Sequence, residues 1–300
     1  MSVDAEQSTP ETVRKVLALL DESTTADRVA PLSEQAVLAL KHGAPETTHV
    51  VARTADGDPV GYLQLVEDAE ATAGELIVSP THRRRGVGAA LAAWALARAA
   101  RGQTLRAWAH GDGEAAAALA KAFGFHADRV LLQMRRPANA PLPAARTPAG
   151  VRIRSFRPGD DDEAWVEVNA RAFADHPEQG RLRVEDLRAR MAELWFDPAG
   201  FFVADRTDSA RPDSDRLVGF HWTKVHERPE PLGEVYVVGV DPDERGTGLG
   251  RALTVAGLEH LVAAGVPTLM LYADESNTPA VRMYERLGFT IASTDVMYQR

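Results

Sequence analysis

The residues best suited to chemistry lie in a glycine-rich turn that occurs twice. One copy is Val240-Asp-Pro-Asp-Glu-Arg-Gly-Thr-Gly-Leu-Gly250 and the other is Val78-Ser-Pro-Thr-His-Arg-Arg-Arg-Gly-Val-Gly88. Each follows an apolar, strand-like run, Val235–Val240 or Gly74–Val78, and each opens into a helix-like run, Arg251–Ala264 or Ala89–Ala100. Such a turn aims several backbone N–H groups at one point, where the start of the helix also favours negative charge. The chemistry on offer is anion binding, most often of a phosphate. Arg83, Arg84 and Arg85 in one copy, and Arg245 and Arg251 in the other, add local positive charge. The lysine and Ser/Thr of a P-loop are missing, which argues against a nucleotide triphosphatase. A dinucleotide fold would want a longer fingerprint and an acidic residue at the end of the next strand. Strand–helix junctions also use glycine for tight packing alone, so the turn by itself leaves a structural reading open.

Two such turns imply two units. The chain has 300 residues, which suits two domains of ordinary size. Hydrophobic residues make up 45% and charged residues 26%, the composition of a globular protein with filled cores. The formal net charge of -9 argues against binding to nucleic acid or an anionic membrane surface, which needs a basic face. Any phosphate site is therefore local. There are no cysteines, so a disulfide framework, a thiolate nucleophile and a thiolate metal ligand are all excluded. A reducing cytoplasm fits this, and the acidic N-terminus does not resemble a basic signal peptide. No His/Asp/Glu spacing points to a metal, and His176 reads as local structure.

The units are joined by Pro137–Gly150, whose four prolines mark an extended connector. The expected division is 1–137, a linker at 138–150, and 151–300. In the second half, Val151–Phe156 alternates as a strand, Asp160–Phe173 has helical spacing, and Phe201–Ala204 and Leu217–Val225 read as a hairpin around the polar loop 205–216. Then come Glu234–Val240, the glycine turn, a helix, the strand Thr268–Ala273, a helix Thr278–Leu287 and a strand Ile291–Tyr298. The first half repeats this order. His49–Thr54 and Val60–Leu65 form a hairpin around Asp56-Gly57, followed by the turn, a helix, Leu105–Ala109, Glu114–Phe123 and Val130–Arg135. Gly124 and Gly288, each before a phenylalanine, read as helix C-terminal glycines. Glu11–Leu20 is helical in pattern, and the first copy is expected to lack an opening strand. The fold class is α/β with a mixed sheet in each of two tandem units.

This succession, with Arg-x-x-Gly-x-Gly between strand and helix and Gly-Phe before the last strand, resembles the GCN5-related N-acetyltransferase (GNAT) family over nearly the whole chain. The resemblance implies that the turn holds the pyrophosphate of acetyl-CoA. In the second half the implied contacts are Val238, Gly239 and Val240, then Arg245, Gly246, Thr247, Gly248, Leu249, Gly250 and Arg251. In the first half they are Leu76, Ile77 and Val78, then Arg83, Arg84, Arg85, Gly86, Val87, Gly88 and Ala89. The family also uses an Asn after the next strand and a Tyr seven residues on, here Asn277 and Tyr284, with Arg282 between them. Aligning the Gly-Phe signatures sets Gly113 against Asn277 and Ala120 against Tyr284. The first copy thus keeps the turn and loses the groups that would serve chemistry, so catalysis is expected in the second half. The first would bind substrate, bind acetyl-CoA without turnover, or support the fold.

Amide formation from a thioester needs a neutral amine, a stabilised oxyanion and a thiolate that can leave. Glu234, at the start of the strand before the turn, is the candidate base, directly or through water. Tyr284 occupies the family's acid position, and a backbone N–H near Val238–Val240 would hold the thioester oxygen. Glu234 also reads as a solvated strand end, Tyr284 as a core tyrosine, and Asn277 as a helix cap with Pro279 in the first turn.

Val29-Ala-Pro-Leu-Ser-Glu-Gln35, His176-Pro-Glu-Gln-Gly180 and Gly233–Val240 are similar to the mycothiol-forming group of tandem acetyltransferases. That resemblance implies a small cysteinyl-glucosaminyl-inositol acceptor, acetylated on its cysteinyl amine. Glu178, Lys224, Glu234 and Tyr272 are the implied acceptor contacts in the second half, and Glu34 in the first, which would place the acceptor between the halves. Each has an ordinary alternative as a helix-start or strand residue. A cytoplasmic monomer with no metal, nucleic-acid or membrane partner is expected. The competing readings are a GNAT enzyme acting on another amine, such as an aminoglycoside or a protein N-terminus, and an acyl-CoA-binding module without turnover.

Overall fold

A computed structural model describes residues 1–44, 46–67, 71–99, 103–174, 179–207, 216–227 and 231–300. In chain order the elements are β1 (Ser2–Glu6), α1 (Pro10–Asp27), α2 (Glu34–His42), β2 (Thr47–Arg53), β3 (Pro59–Glu67), β4 (Ala71–Val78), α3 (Val87–Arg98), β5 (Thr104–Ala109), α4 (Glu114–Ala122) and β6 (His126–Pro137). They continue with β7 (Val151–Ser155), α5 (Asp162–Ala172), α6 (Val184–Met191), β8 (Phe201–Arg206), β9 (Arg216–His226), β10 (Leu232–Val240), α7 (Leu249–Ala263), β11 (Thr268–Asp274), α8 (Thr278–Arg286) and β12 (Thr290–Gln299). The chain folds as two compact units.

The first unit holds Met1–Leu132, Asp274–Ser276 and Ser293–Arg300. Its sheet runs β1-β2-β3-β4-β5 and then the end of β12. Only β4 and β5 pair in parallel; the other neighbours in that run are antiparallel. Side chains alternate between the faces, as the pleat requires. Val50 and Leu63 pack with Leu91 of α3 on one side, and Val51, Tyr62 and Ile77 with Val16 and Leu40 of α1 and α2 on the other.

Two features of this unit correct the expectation from sequence. An opening strand does exist: β1 pairs with β2 from Ser2↔Arg53 to Glu6↔His49. Ser-Val-Asp-Ala-Glu alternates, but over only five residues and with only Val3 and the small Ala5 apolar, Val3 packing against the core, and Arg53 Nε bonds to Glu6 at 2.7 Å. The C-terminal strand also differs. Val296–Gln299 pair with β5 of this unit, although the sequence order groups them with residues 151–300. Alternation in a strand fixes which side chains face a core, not which sheet edge the strand joins.

A buried charge cluster ties that strand in. His110 Nδ1 lies 3.0 Å from Asp295, and Nε2 faces Glu75 at 3.5 Å, long for a hydrogen bond but close for an ion pair. Asp295 accepts from Gly111 N, and Glu75 accepts from Ser33 N and Oγ at the start of α2. Burial works against a charged ring, but Asp295 and Glu75 outweigh it and raise the imidazole to about 9. The sign follows from linkage. The folded value is above the unfolded one, so this stabilisation is complete below about pH 6.5 and is lost as pH rises through about 9. Thermal denaturation of the wild type is expected to fall off across that interval, and His110→Gln should flatten the profile there. Equal slopes for the two proteins would contradict this.

The second unit holds Gln133–Ala273 and Asn277–Ala292. Its strands run β7-β8-β9-β10-β11, with β10 and β11 parallel and the others antiparallel. Trp165, Phe201, Phe220 and Trp222 form an aromatic core under α5 and α6. Ala204, Val218, Leu249 and Leu253 pack on the α7 side. The polar loop expected between β8 and β9 lies largely in 208–215, outside the described residues.

Candidate active site

In the second unit β10 runs into a short 3-10 turn at Pro242–Glu244 and then into α7. Gly246 and Gly248 have φ of +80° and +92°, a left-handed conformation that side chains resist. Gly248 is the N-cap of α7 and supplies no side-chain acceptor, and the first turn carries no acid. Leu249 N reaches Thr247 Oγ1 at 3.4 Å, and the next N–H groups of the helix are left for an external anion. A Cβ at Gly246 or Gly248 would meet nothing within 4 Å, so the space over the turn is open to a ligand. The neighbouring acids are engaged: Asp241 by Arg171 and Arg216, Asp243 by Arg171, and Glu244 by Arg206. Arg245 and Arg251 donate to the backbone carbonyls of Ala172 and Ala144, contacts that leave their positive charge uncompensated. These residues fit a pyrophosphate.

The strand before the turn is built to open. β10 pairs with β11 only over Leu232–Val235, but with β9 as far as Val240. Its β9 register shifts between Val235 and Val237, a bulge at Tyr236. Asp241 N bonds to Val218 O, and antiparallel ladders alternate. Gly239 and Val237 therefore point their N–H groups at β9, and Val238 and Val240 point theirs to the open side beyond the end of the β11 pairing. Gly239 serves packing: a Cβ there would come within 2.5 Å of the Phe220 ring.

Glu234 lies before the bulge and is 8% exposed. It stands opposite Lys224 on β9 and Met270 on β11, so these side chains share a face. Tyr272, two residues past Met270, joins that face; its hydroxyl accepts from Gln133 Nε2 at 2.9 Å, and the residue is 40% exposed. Lys224 Nζ sits 4.3 Å above the Trp195 ring and 5.4 Å from that of Tyr236, an aromatic setting for a cation. The Tyr236 hydroxyl accepts from Arg190 Nε at 3.1 Å. Glu234 Oε2 is 2.7 Å from His226 Nε2.

On α8, Asn277 is the N-cap, its side chain accepting from Ala280 N at 3.3 Å, with Pro279 in the first turn. Arg282 is exposed one turn on. The helix ends in a Schellman motif: Gly288 N bonds to Glu285 O and Phe289 N to Tyr284 O, with Gly288 at φ +87°. The motif brings Phe289 edge-on to Tyr284, ring centroids 6.0 Å apart, and so fixes the tyrosine. Burial pushes the Tyr284 phenol up to about 12. Its hydroxyl has no hydrogen-bond partner among the described residues.

The first unit repeats the backbone of the turn with different side chains around it. Gly86, at φ +84°, caps α3 as Gly248 caps α7, and Arg84, at φ +61°, takes the place of Gly246. Arg84 and Arg85 are exposed. Arg83 is held by Asp27 through two bonds of 2.6 and 2.7 Å, which compensates its charge. β4 pairs with β3 from Gly61↔Val78 to Glu67↔Thr72 without a bulge. Alternation nevertheless leaves the N–H groups of Leu76 and Val78 facing away from β3 beyond the β5 pairing, with Ile77 between them in the core. Val87, Gly88 and Ala89 form the first turn of α3. Gly113 caps α4 with no side-chain bond, and Ala120 occupies the third position before the helix end, as Tyr284 does in α8. An apolar cleft of about 130 Å³ lies here, lined by Leu76, Ala107, Leu119 and Ala120 among others. Glu34 is in the first turn of α2, after the cap Ser33.

Glu178, with His176, lies outside the described residues. Sequence reasoning missed His226, Trp195 and the bulge at Tyr236. His226 carried a usable signal, since it follows Lys224 by two in an alternating strand.

A family model described as "Acetyltransferase (GNAT) family" matches residues 15–125 and 164–289. A protein of Thermobispora bispora named "Mycothiol acetyltransferase" is 53% identical, over 98% of each chain. One of Thermomonospora curvata with the same name is 56% identical, over 96% of this chain and 93% of that one. Among solved structures, a "Tandem GNAT protein from the clavulanic acid biosynthesis pathway" aligns over 100% of this chain and 98% of its own, with a TM-score of 0.71 at 24% identity. That last likeness concerns the fold alone. With its family matches falling on both halves, and with relatives of this identity over nearly full length, the chain belongs to the GNAT family of acetyl-CoA-dependent acetyltransferases, present here as a tandem repeat.

Proposed function

We propose that the second unit transfers the acetyl group of acetyl-CoA to the cysteinyl amine of cysteinyl-glucosaminyl-inositol, forming mycothiol. The observation that carries this is the naming of full-length relatives at 53% and 56% identity as mycothiol acetyltransferases, together with an intact phosphate turn, base and tyrosine in one unit. The catalytic repeat is residues 151–300; residues 1–137 form a repeat without the catalytic pair, and 138–150 join them.

The geometry supports a division of labour. The turn from Arg245 to Arg251 binds the pyrophosphate, aided by Asn277 and Arg282 at the start of α8. Acetyl-CoA supplies the thioester. The outward N–H groups of Val238 and Val240 receive the negative charge that develops on its carbonyl oxygen, in a preformed setting that needs no reorganisation. Glu234 takes the proton from the acceptor amine, a modest task because an α-amine titrates near ~7.7–8.0. Tyr284 stays protonated with a value of about 12, well above an ordinary thiol at ~8.5. It therefore donates a hydrogen bond to the departing sulfur rather than surrendering its proton outright. Lys224 and Tyr272, which share the face of Glu234, serve the hydroxyl-rich acceptor, with Glu178 as a further contact. In the first unit, Leu76–Val78 and Arg83–Ala89 retain a turn that binds acetyl-CoA without turnover.

No helix among the described residues is long and apolar enough to cross a membrane. The reading is of a cytoplasmic monomer that uses a small-molecule acceptor.

Asn277→Asp separates capping from cofactor contact. It keeps the oxygen acceptor for Ala280 N and exchanges the amide donor for a negative charge. Stability is expected to hold, while KM for acetyl-CoA rises by about tenfold. Unchanged stability with an unchanged KM would leave Asn277 as a cap only.

Acceptor assignment is tested by comparing cysteinyl-glucosaminyl-inositol with the same compound lacking its cysteine. Mass spectrometry should show one acetyl group on the first, on nitrogen, and little reaction with the second. Equal acetylation of both would mean that the cysteinyl amine is not the acceptor.

A further inference from the structure

We infer that His226 is a positioning residue for Glu234, and through it for removal of the proton from the acceptor amine; this rests on Glu234 being the base. The ring Nε2 lies 2.7 Å from Glu234 Oε2. The glutamate side chain is 10% exposed and the ring 33%, so the pair runs from the interior to the surface. A carboxylate accepts hydrogen bonds, so in this contact Nε2 carries the hydrogen.

The surroundings leave this contact to set the carboxylate. Across the ladders Glu234 faces Lys224 on β9 and Met270 on β11. Met270 offers no strong donor. Lys224 directs its ammonium over the rings of Trp195 and Tyr236. His226, diagonal to Glu234, supplies a hydrogen bond to a charged acceptor, which is shorter and about twice as strong as a neutral one. One carboxylate oxygen is thereby committed, and the other is held in a fixed direction to take a proton. A base must sit within hydrogen-bond reach of the proton it removes, and a small misplacement of a reacting group costs rate steeply.

The test measures kcat and KM of three variants, varying the acceptor at saturating acetyl-CoA and acetyl-CoA at saturating acceptor. His226→Ala should lower kcat by about tenfold while KM for acetyl-CoA stays within about twofold. His226→Gln retains an amide N–H of similar reach and should return kcat to within about threefold of the wild type. Glu234→Gln is the reference and should be the slowest of the three. Wild-type turnover in His226→Ala, with Glu234→Gln slow, would overturn the inference and leave the base assignment standing. Equal loss in His226→Ala and His226→Gln would also overturn it, since a donor at that position would then make no difference. Wild-type turnover in Glu234→Gln would remove the base assignment and this inference with it.

Discussion

Replacing Tyr284 by phenylalanine is expected to lower kcat by about a hundredfold, the low end of what a preorganised hydrogen-bond donor to developing charge contributes, or roughly 2.7 kcal/mol of transition-state stabilisation. The dissociation constant of acetyl-CoA should hardly move. The substitution removes one oxygen and keeps the ring, so the contact with Phe289 survives. The ring is buried and the hydroxyl makes no hydrogen bond among the described residues, so its removal leaves no partner unsatisfied and costs the fold little. Turnover and stability are therefore expected to separate. A variant with full turnover would make Tyr284 an aromatic wedge that closes the end of α8. Ala120, its counterpart in the first unit, already shows that this helix–Gly–Phe ending forms without a ring.

Glu234→Gln is expected to lower kcat/KM for the acceptor by about a hundredfold or more at pH 7. The glutamine has nearly the shape of the glutamate and can still contact His226. What it cannot do is hold a proton taken from the amine. The deficit should narrow as pH rises from 7 to 9, because an α-amine near ~7.7–8.0 then arrives already neutral. A deficit that is constant with pH would point to a role in holding the acceptor. Wild-type rates at every pH would return Glu234 to an ordinary strand residue.

The parts of the site that could be read from sequence are those where backbone geometry restricts the residue. Gly248 and Gly86 stand at left-handed φ before a helix, and Gly288 and Gly124 stand at left-handed φ after one. Few residues serve at such positions, so the repeat shows through. Asn277 and Tyr284 took their roles from family resemblance, because spacing alone does not distinguish them from a cap and a core ring. The bulge at Tyr236 left no trace in Val235-Tyr-Val-Val-Gly-Val, which reads as an even strand. An extra residue in one strand shows only against its partner, and β9 supplies that partner. β1 was hidden because its apolar face is only Val3 and Ala5, too short a run to stand out, and the pairing of β12 with β5 because register is a long-range property. The aromatic surround of Lys224 was equally illegible, since Trp195 and Tyr236 are far apart in sequence and meet only in the fold.

The central claim is that this chain acetylates one amine of one small molecule. The most direct test incubates the protein and acetyl-CoA with an equimolar mixture of cysteinyl-glucosaminyl-inositol, an aminoglycoside and a peptide with a free N-terminus. Products are followed by mass, since the acceptor's own thiol would confuse a thiol assay. The account predicts that the cysteinyl compound gains one acetyl group on nitrogen while the other amines remain unmodified. Acetylation of another amine in its place, or bound acetyl-CoA with no acetylated product, would contradict it.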